Sequence, residues 1–254
     1  MWPRAATISM LDPATILESD MVRQMAFFPR RASKGVSQGP RSIDGTYKVE
    51  GGAEIGWRAF PLPNAAPVVI YFHGNGEIAA EAGLHLAPLV HRAGCALVAV
   101  DFRGYGWSTG EPSLLSLCSD AAAFATALSG ILTAAKLTSS GASPPLVLYG
   151  RSIGSVCAVE LASRHEQLFE ALVLESAVEK LTDLPMARQL ASVLPNGAAL
   201  LKSVPDPFCQ CDKLATLRKL RVLVMHGQTD AISPYDQARP RSSPCAQCAR
   251  GRTA

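Results

Sequence analysis

This 254-residue chain lacks several features, and each absence excludes a class of function. It has no uninterrupted apolar run of bilayer length. Of the two longest stretches without a charged residue, 59–76 is broken by Pro61, Pro63 and Pro67, and 121–135 is short and rich in alanine. A membrane span needs about 20 consecutive apolar residues. Met1 to Pro13 lack the apolar core of a signal peptide. There is no basic surplus in the body either. The formal charge of +3 falls to about −1 once Arg239, Arg241, Arg250 and Arg252 are set aside, which leaves no stripe for nucleic acid or anionic lipid. No Gly-x-Gly-x-x-Gly run is present, so dinucleotide binding is not indicated.

Seven cysteines cannot all pair within one chain. Cys95 and Cys157 fall in apolar segments and Cys118 lies early in a long helical stretch, so these three read as reduced core thiols. A reducing, cytoplasmic setting is the expectation. Cys209-Gln-Cys211 and Cys245-Ala-Gln-Cys248 raise a zinc reading, because two thiol pairs can close a tetrahedral site. A single spacer in the first pair, and no helix or strand pattern around the second, weigh against it. No metal and no cofactor are expected.

Charged residues make up 18% and apolar residues 48%, an ordinary composition for a domain with a full core. Residues 1–45 read as a leader with one helix over Thr15 to Phe28, broken afterwards by Pro29, Gly35, Gly39 and Pro40. Strands are expected at Ile55–Leu62, Pro67–Phe72, Cys95–Asp101, Leu146–Tyr149, Ala171–Leu174 and Leu220–Met225. Helices are expected at Ala79–Arg92, Ser113–Leu137 with a break near Gly130, Ser152–Arg164, and Leu181–Leu201 interrupted by Pro185 and Pro195. Continuous apolar strands alternating with helices predict a mostly parallel central sheet covered on both faces. One α/β domain over 46–238 is expected, followed by a disordered basic tail at 239–254.

Four motifs sit at the ends of these strands. The strand Leu146–Tyr149 runs into Gly150-Arg151-Ser152-Ile153-Gly154, and a helix follows at once. Serine is a weak nucleophile that needs an exposed conformation and a base, and a strand–turn–helix elbow supplies the conformation. A serine N-cap at a glycine turn would look similar. His73-Gly74-Asn75-Gly76-Glu77 follows Pro67–Phe72 and can aim a backbone N–H from Asn75 or Gly76 at an oxyanion, with Ile153 N–H as the second donor. The same residues would also serve as a simple helix-capping turn. Asp101-Phe102-Arg103-Gly104-Tyr105-Gly106-Trp107-Ser108-Thr109-Gly110 makes a structured loop in which Tyr105 and Trp107 either support a pocket or merely pack on the sheet. His226-Gly227-Gln228-Thr229-Asp230 follows Leu220–Met225 and offers Asp230 as the acid that orients a base, with Glu175 as a second candidate. His73, Gly74 and Arg151 are expected to support the pocket.

Taken together and in this order, the motifs resemble the α/β-hydrolases, in particular the BEM46-like, serine aminopeptidase S33-like branch, over roughly residues 45–238. The resemblance implies an α/β-hydrolase fold and a serine hydrolase acting on a small acyl substrate through Ser152 and Asp230. It is silent on oligomeric state. Relatives that act as protein depalmitoylases carry a cysteine-rich N-terminal segment, and residues 1–45 hold no cysteine.

The resemblance also implies a histidine beyond the acid. The 24 residues after Asp230 contain none; the five histidines are His73, His85, His91, His165 and His226. Two explanations are open. One is a degenerate hydrolase that acts in binding. The other is a sequence that departs from its authentic end after about Gln237, which the abrupt change to an Arg/Pro/Ser/Cys run favours. Either way the final helix over the sheet is expected to be missing, leaving the edge near Leu220–Met225 exposed.

Overall fold

The computed structural model describes residues 18–36, 39–62, 67–138, 143–180, 184–193, 197 and 208–235. Seven strands make one sheet: β1 (Ile43–Lys48), β2 (Glu54–Phe60), β3 (Val68–Phe72), β4 (Ala96–Val100), β5 (Leu146–Arg151), β6 (Ala171–Glu175) and β7 (Arg221–Met225). The α-helices are α1 (Asp20–Ala26), α2 (Ala82–His85), α3 (Ala87–Arg92), α4 (Leu114–Ala134), α5 (Gly154–Arg164), α6 (Pro185–Val193) and α7 (Gln210–Thr216). The strand order is β1-β2-β4-β3-β5-β6-β7. β1 and β2 run antiparallel to their neighbours; β4, β3, β5, β6 and β7 are parallel.

The apolar runs place the centre. Every residue of β3 and β4 is buried, as strands covered on both faces must be. Alternate residues face opposite ways. Ile70, Phe72, Val98 and Leu148 join Phe124 of α4 and Val156 of α5 on one face. Val69, Tyr71, Leu97 and Ala99 join Ala82, Ala87 and Val90 of α2 and α3 on the other. Phe124 meets Tyr47 and Phe72 edge-on, with ring centroids 5.6 and 5.7 Å apart.

Several elements differ from the sequence expectation. β1 begins inside the stretch read as a leader. Ile-Asp-Gly-Thr-Tyr-Lys has no apolar run, and its place is set by pairing: Gly45 lies opposite Trp57, whose ring sits where a Cβ would be. The helix expected over 79–92 is split into a short turn, α2 and α3, with Pro88 opening the last. α4 continues through Gly130, started by a reciprocal Ser113–Ser116 capping box. α4 is long and apolar enough to cross a bilayer by length and composition, but Leu117, Phe124, Leu128 and Ile131 are buried in the core. Pro185 opens α6 rather than interrupting a longer helix. α7 was not expected; its Gln210 donates to Ser155 Oγ at 2.9 Å. Leu223 and Met225 on β7 are 45% and 39% exposed among the described residues. Residues 1–17 and 236–254, with the tail, Cys245 and Cys248, lie outside the described residues.

Arg58 on β2 is fully buried. Asp44 of β1 accepts from its Nε and Nη2, both at 2.6 Å, Val36 C=O accepts from Nη1 at 2.7 Å, and the guanidinium lies 5.1 Å from the Trp107 ring centre. Removing one partner of a buried pair strands the other charge and typically costs about 3–5 kcal/mol. Asp44→Ala is therefore expected to destabilise the chain by about that amount in urea unfolding. A loss below about 1 kcal/mol would mean that Arg58 reaches water or another acceptor.

Candidate active site

β5 ends by turning into α5 within two residues, Ser152 and Ile153. Ser152 makes the turn with φ +50°, a left-handed backbone that a non-glycine residue rarely adopts. The turn is held by Ser152 N–H donating to Glu175 C=O at 2.8 Å. The flanking glycines are required by contact. A Cβ on Gly154 would lie 2.1 Å from Phe72 C=O, and one on Gly150 would lie 2.5 Å from Ser155 Cα. The helix start thus presses directly on the end of β3.

The His73–Glu77 loop leaves that same end of β3. A Cβ on Gly74 would fall 3.8 Å from Ser152 Cβ, so the loop passes beside the serine. Neither Asn75 N–H nor Ile153 N–H donates to a protein acceptor among the described residues. The Asn75 side chain is bonded through both its nitrogen and its oxygen. Its Nδ2 donates to Ala26 C=O at 2.8 Å, and its Oδ1 accepts from Phe28 N–H at 3.1 Å and Tyr105 Oη–H at 2.7 Å. Burial pushes the Tyr105 phenol up to about 12, against the downward pull of the Phe28 and Gly76 N–H groups. Below the loop, His73 is buried. Its Nδ1 lies 2.8 Å from Gly74 C=O and donates to it, and its Nε2 is 3.2 Å from Asp101 Oδ1, near enough for an ion pair but not aligned for a hydrogen bond. Asp101 Oδ1 also accepts Ala79 N–H at 2.8 Å.

At the other side of the elbow, the register Arg151–Glu175–Met225 puts Ser152, Ser176 and His226 at the next positions of three adjacent strands. Asp230 closes the turn after β7, its Oδ1 accepting Ile232 N–H at 3.0 Å and Ser233 N–H at 2.9 Å. Burial pulls its carboxyl upward, but Ser233 N–H, the Ser176 hydroxyl, Ile232 N–H and His226 together hold it below the ordinary aspartate range. A depressed carboxylate stabilises the fold above its unfolded pKa of about 3.9 and loses that contribution as pH falls through the folded value. Asp230→Asn is expected to lower stability at pH 7. Its deficit should shrink as urea unfolding is repeated from about pH 5 down to about pH 2, and a constant deficit would contradict the assignment.

Arg151 and Glu175 belong to a separate network. Arg151 Nη1 donates to Glu77 Oε1 at 2.8 Å and its Nε lies 3.4 Å from Glu175 Oε1, while Tyr71 and Tyr149 donate to the two glutamates at 2.8 and 2.5 Å. Burial raises both phenols further. This network lines a cavity of about 410 Å³ with Glu81, His85 and Leu89. Glu175 is engaged by Arg151 and Tyr149, and Asp230 by the Ile232 and Ser233 N–H groups. Trp107 is not brought to this cluster; its Nε1 donates to Gly45 C=O at 3.0 Å, at the β1–β2 side. Cys157 is buried in the core and its thiol is pushed up by burial. No group of three or more metal-ligating side chains occurs among the described residues.

The histidines are occupied elsewhere. His226 Nε2 donates to Ser233 C=O at 2.6 Å. His91 Nε2 donates to Phe60 C=O at 3.1 Å. His165 ends α5 and His85 lines the cavity. No hydrogen bond joins any of the five to Ser152 among the described residues.

An elbow of this kind, beside a glycine loop at the carboxyl ends of parallel strands, is the arrangement that the sequence motifs implied. A family model described as serine aminopeptidase, S33, matches residues 63–209. The chain belongs to that family. This S33 family member is 29% identical over 180 residues to Protein bem46 of Schizosaccharomyces pombe, covering 69% of the chain and 55% of that protein. It is 30% identical over 178 residues to the alpha/beta hydrolase domain-containing protein aho-3 of Caenorhabditis elegans, covering 69% and 47%. The chain therefore spans about half the length of the curated relatives it matches. Among solved structures it is similar to an alpha-beta hydrolase from Vibrio vulnificus (22% identity, TM-score 0.60, covering 81% of this chain and 70% of that one). It is also similar to the Pyrococcus furiosus esterase Pf2001 (14%, TM-score 0.59, covering 87% and 86%). These likenesses establish the α/β-hydrolase fold, and the BEM46-like resemblance drawn from the motifs holds.

Proposed function

We propose that this S33 family member is a serine hydrolase that splits an ester, thioester or amide bond of a small acyl substrate through an acyl-enzyme on Ser152. The observation that carries the reading is the left-handed backbone of Ser152 beside the Gly74 loop. Strain of that kind costs of order 1–3 kcal/mol and persists where surrounding contacts over-determine it. In the proposed step Ser152 Oγ adds to the acyl carbon and gives its proton to a base. The carbonyl electron pair moves to oxygen, where Ile153 N–H and a loop N–H receive it. Collapse expels the alcohol, thiol or amine with that proton, and water then repeats the sequence on the acyl-enzyme. Asp230 would orient and charge-balance the base. A cytoplasmic setting is part of the same reading, supported by the core thiols.

No histidine of this sequence is placed to be that base, and this favours a second reading, a binding protein that keeps the pocket without the chemistry. A fluorophosphonate probe separates the two. The hydrolase reading expects adduct on Ser152, none on Ser152→Ala, and at least about tenfold faster labelling when imidazole is supplied as a base. The binding reading expects no adduct with or without imidazole, and acyl-ligand affinity that survives Ser152→Ala.

A further inference from the structure

The segment read from sequence as a leader is bonded to the loop beside the nucleophile. Asn75 bonds through both ends of its amide to two of its residues and to Tyr105: Nδ2 donates to Ala26 C=O, the last turn of α1, and Oδ1 takes Phe28 N–H and the Tyr105 hydroxyl. One residue further along the loop, Gly76 C=O accepts from Arg30 Nη1 at 3.0 Å, and Arg30 is itself held by both oxygens of Glu81 at 2.8 and 2.6 Å. The segment is anchored from behind on the Asp101–Gly110 loop. Gly106 N–H donates to Arg30 C=O, Ala32 N–H donates to Gly106 C=O, and Arg31 Nη1 donates to Gly104 and Ser108 C=O at 2.9 and 2.7 Å. The same two loop residues are the ones whose backbone N–H groups are candidates for the oxyanion.

We propose that Ala26–Arg30 is a positioning strap that fixes the Asn75–Gly76 backbone beside Ser152. The inference rests on the acyl-transfer reading for its consequence, while the strap itself stands on the hydrogen bonds. None of its groups touches substrate. Asn75 is the hinge: its side chain faces the strap, and its backbone N–H is left without a protein acceptor among the described residues.

Phe28 permits a clean test, because its contribution is a backbone N–H. Phe28→Pro deletes that donor, and the extended Phe27 before it (φ −126°, ψ 139°) suits a residue that precedes proline. Phe28→Ala keeps the donor and removes the 57% exposed ring. Both variants, as the 254-residue chain, are compared with the parent for fluorophosphonate labelling and for amide hydrogen exchange of segment 74–77. Phe28→Pro is expected to cut the maximal labelling rate about tenfold with the probe's binding constant unchanged, and to speed exchange of segment 74–77 about tenfold, while Phe28→Ala restores both to within about twofold of the parent. Equal behaviour of the two variants in both readouts overturns the strap. Absence of labelling in every chain, with the exchange contrast intact, overturns the acyl-transfer reading and leaves the strap standing. Should Phe28→Pro fail to fold, Arg30→Ala, which removes the donor to Gly76 C=O, replaces it, with Arg30→Lys, which keeps a cationic donor, as its control under the same criteria.

Discussion

Gly154→Ala is expected to destabilise this protein by more than about 3 kcal/mol, and Gly130→Ala to stabilise it by about 0.4–1 kcal/mol. A methyl at Gly154 would sit 2.1 Å from Phe72 C=O and 2.6 Å from His73 C=O, whereas one at Gly130 meets nothing within 4 Å. The obstructing atoms at Gly154 are backbone in the central strand, so they cannot turn aside as a side chain would. Relief requires α5 to move off β3. Overpacking of cores costs about 1–3 kcal/mol when side chains can adjust, and this contact has no such route. Against a total stability of about 5–15 kcal/mol the loss removes a large fraction of the fold. Gly130 lies inside α4, where alanine propensity and a less flexible unfolded chain both help. Urea midpoints for the two variants measure the contrast directly. Similar midpoints would mean that the elbow helix is not seated on β3.

The second large effect concerns rate. Ester hydrolysis by this chain is expected to run about 10⁴- to 10⁶-fold slower than by a relative with a complete triad, because losing the base costs that much where serine hydrolases have been dissected. What remains is the contribution of the N–H donors and of binding. A base supplied from solution replaces part of the missing term, and general-base help is typically worth 10²–10⁴. Once the protein-free imidazole rate is subtracted, imidazole is therefore expected to raise ester turnover at least tenfold in the parent chain and not at all in Ser152→Ala. Stopped assays on an activated aryl ester across imidazole concentrations would show it. An equal imidazole response in both chains would place the reaction in solution rather than at the elbow.

How much of this was legible in the sequence depended on the kind of interaction. β3 and β4 are continuous apolar runs and β5 opens on one, and the glycine spacing around Ser152 states the elbow because two glycines are needed at the turn and where α5 meets β3. β1 was missed because its place comes from pairing with β2 and from the Asp44–Arg58 ion pair, neither of which shows as an apolar pattern. α7 is a single short helix whose buried Gln210 is recognised through Ser155 and the Val178 carbonyl, both distant in sequence. At the site, Ser152, Asn75, Gly76, Ile153 and Asp230 are the candidates that the motifs single out. Trp107 looked equivalent to Tyr105 in the same loop, yet the two rings leave it on different sides. The Arg151 network and the strap went unseen for one reason: both are long-range contacts in which single polar atoms meet. Only Phe27-Phe28-Pro29 followed by two arginines gave any outward sign of the strap.

The central claim is that Ser152 is a nucleophile whose acyl adduct is held by the Ile153 and Asn75 backbone. Intact and peptide mass measurement after incubation with an activated acyl ester in the presence of imidazole tests it most directly. The account predicts one acyl group per chain, located on Ser152 and absent from Ser152→Ala. Acylation confined to lysines or cysteines, or none at all in a folded chain, would contradict it.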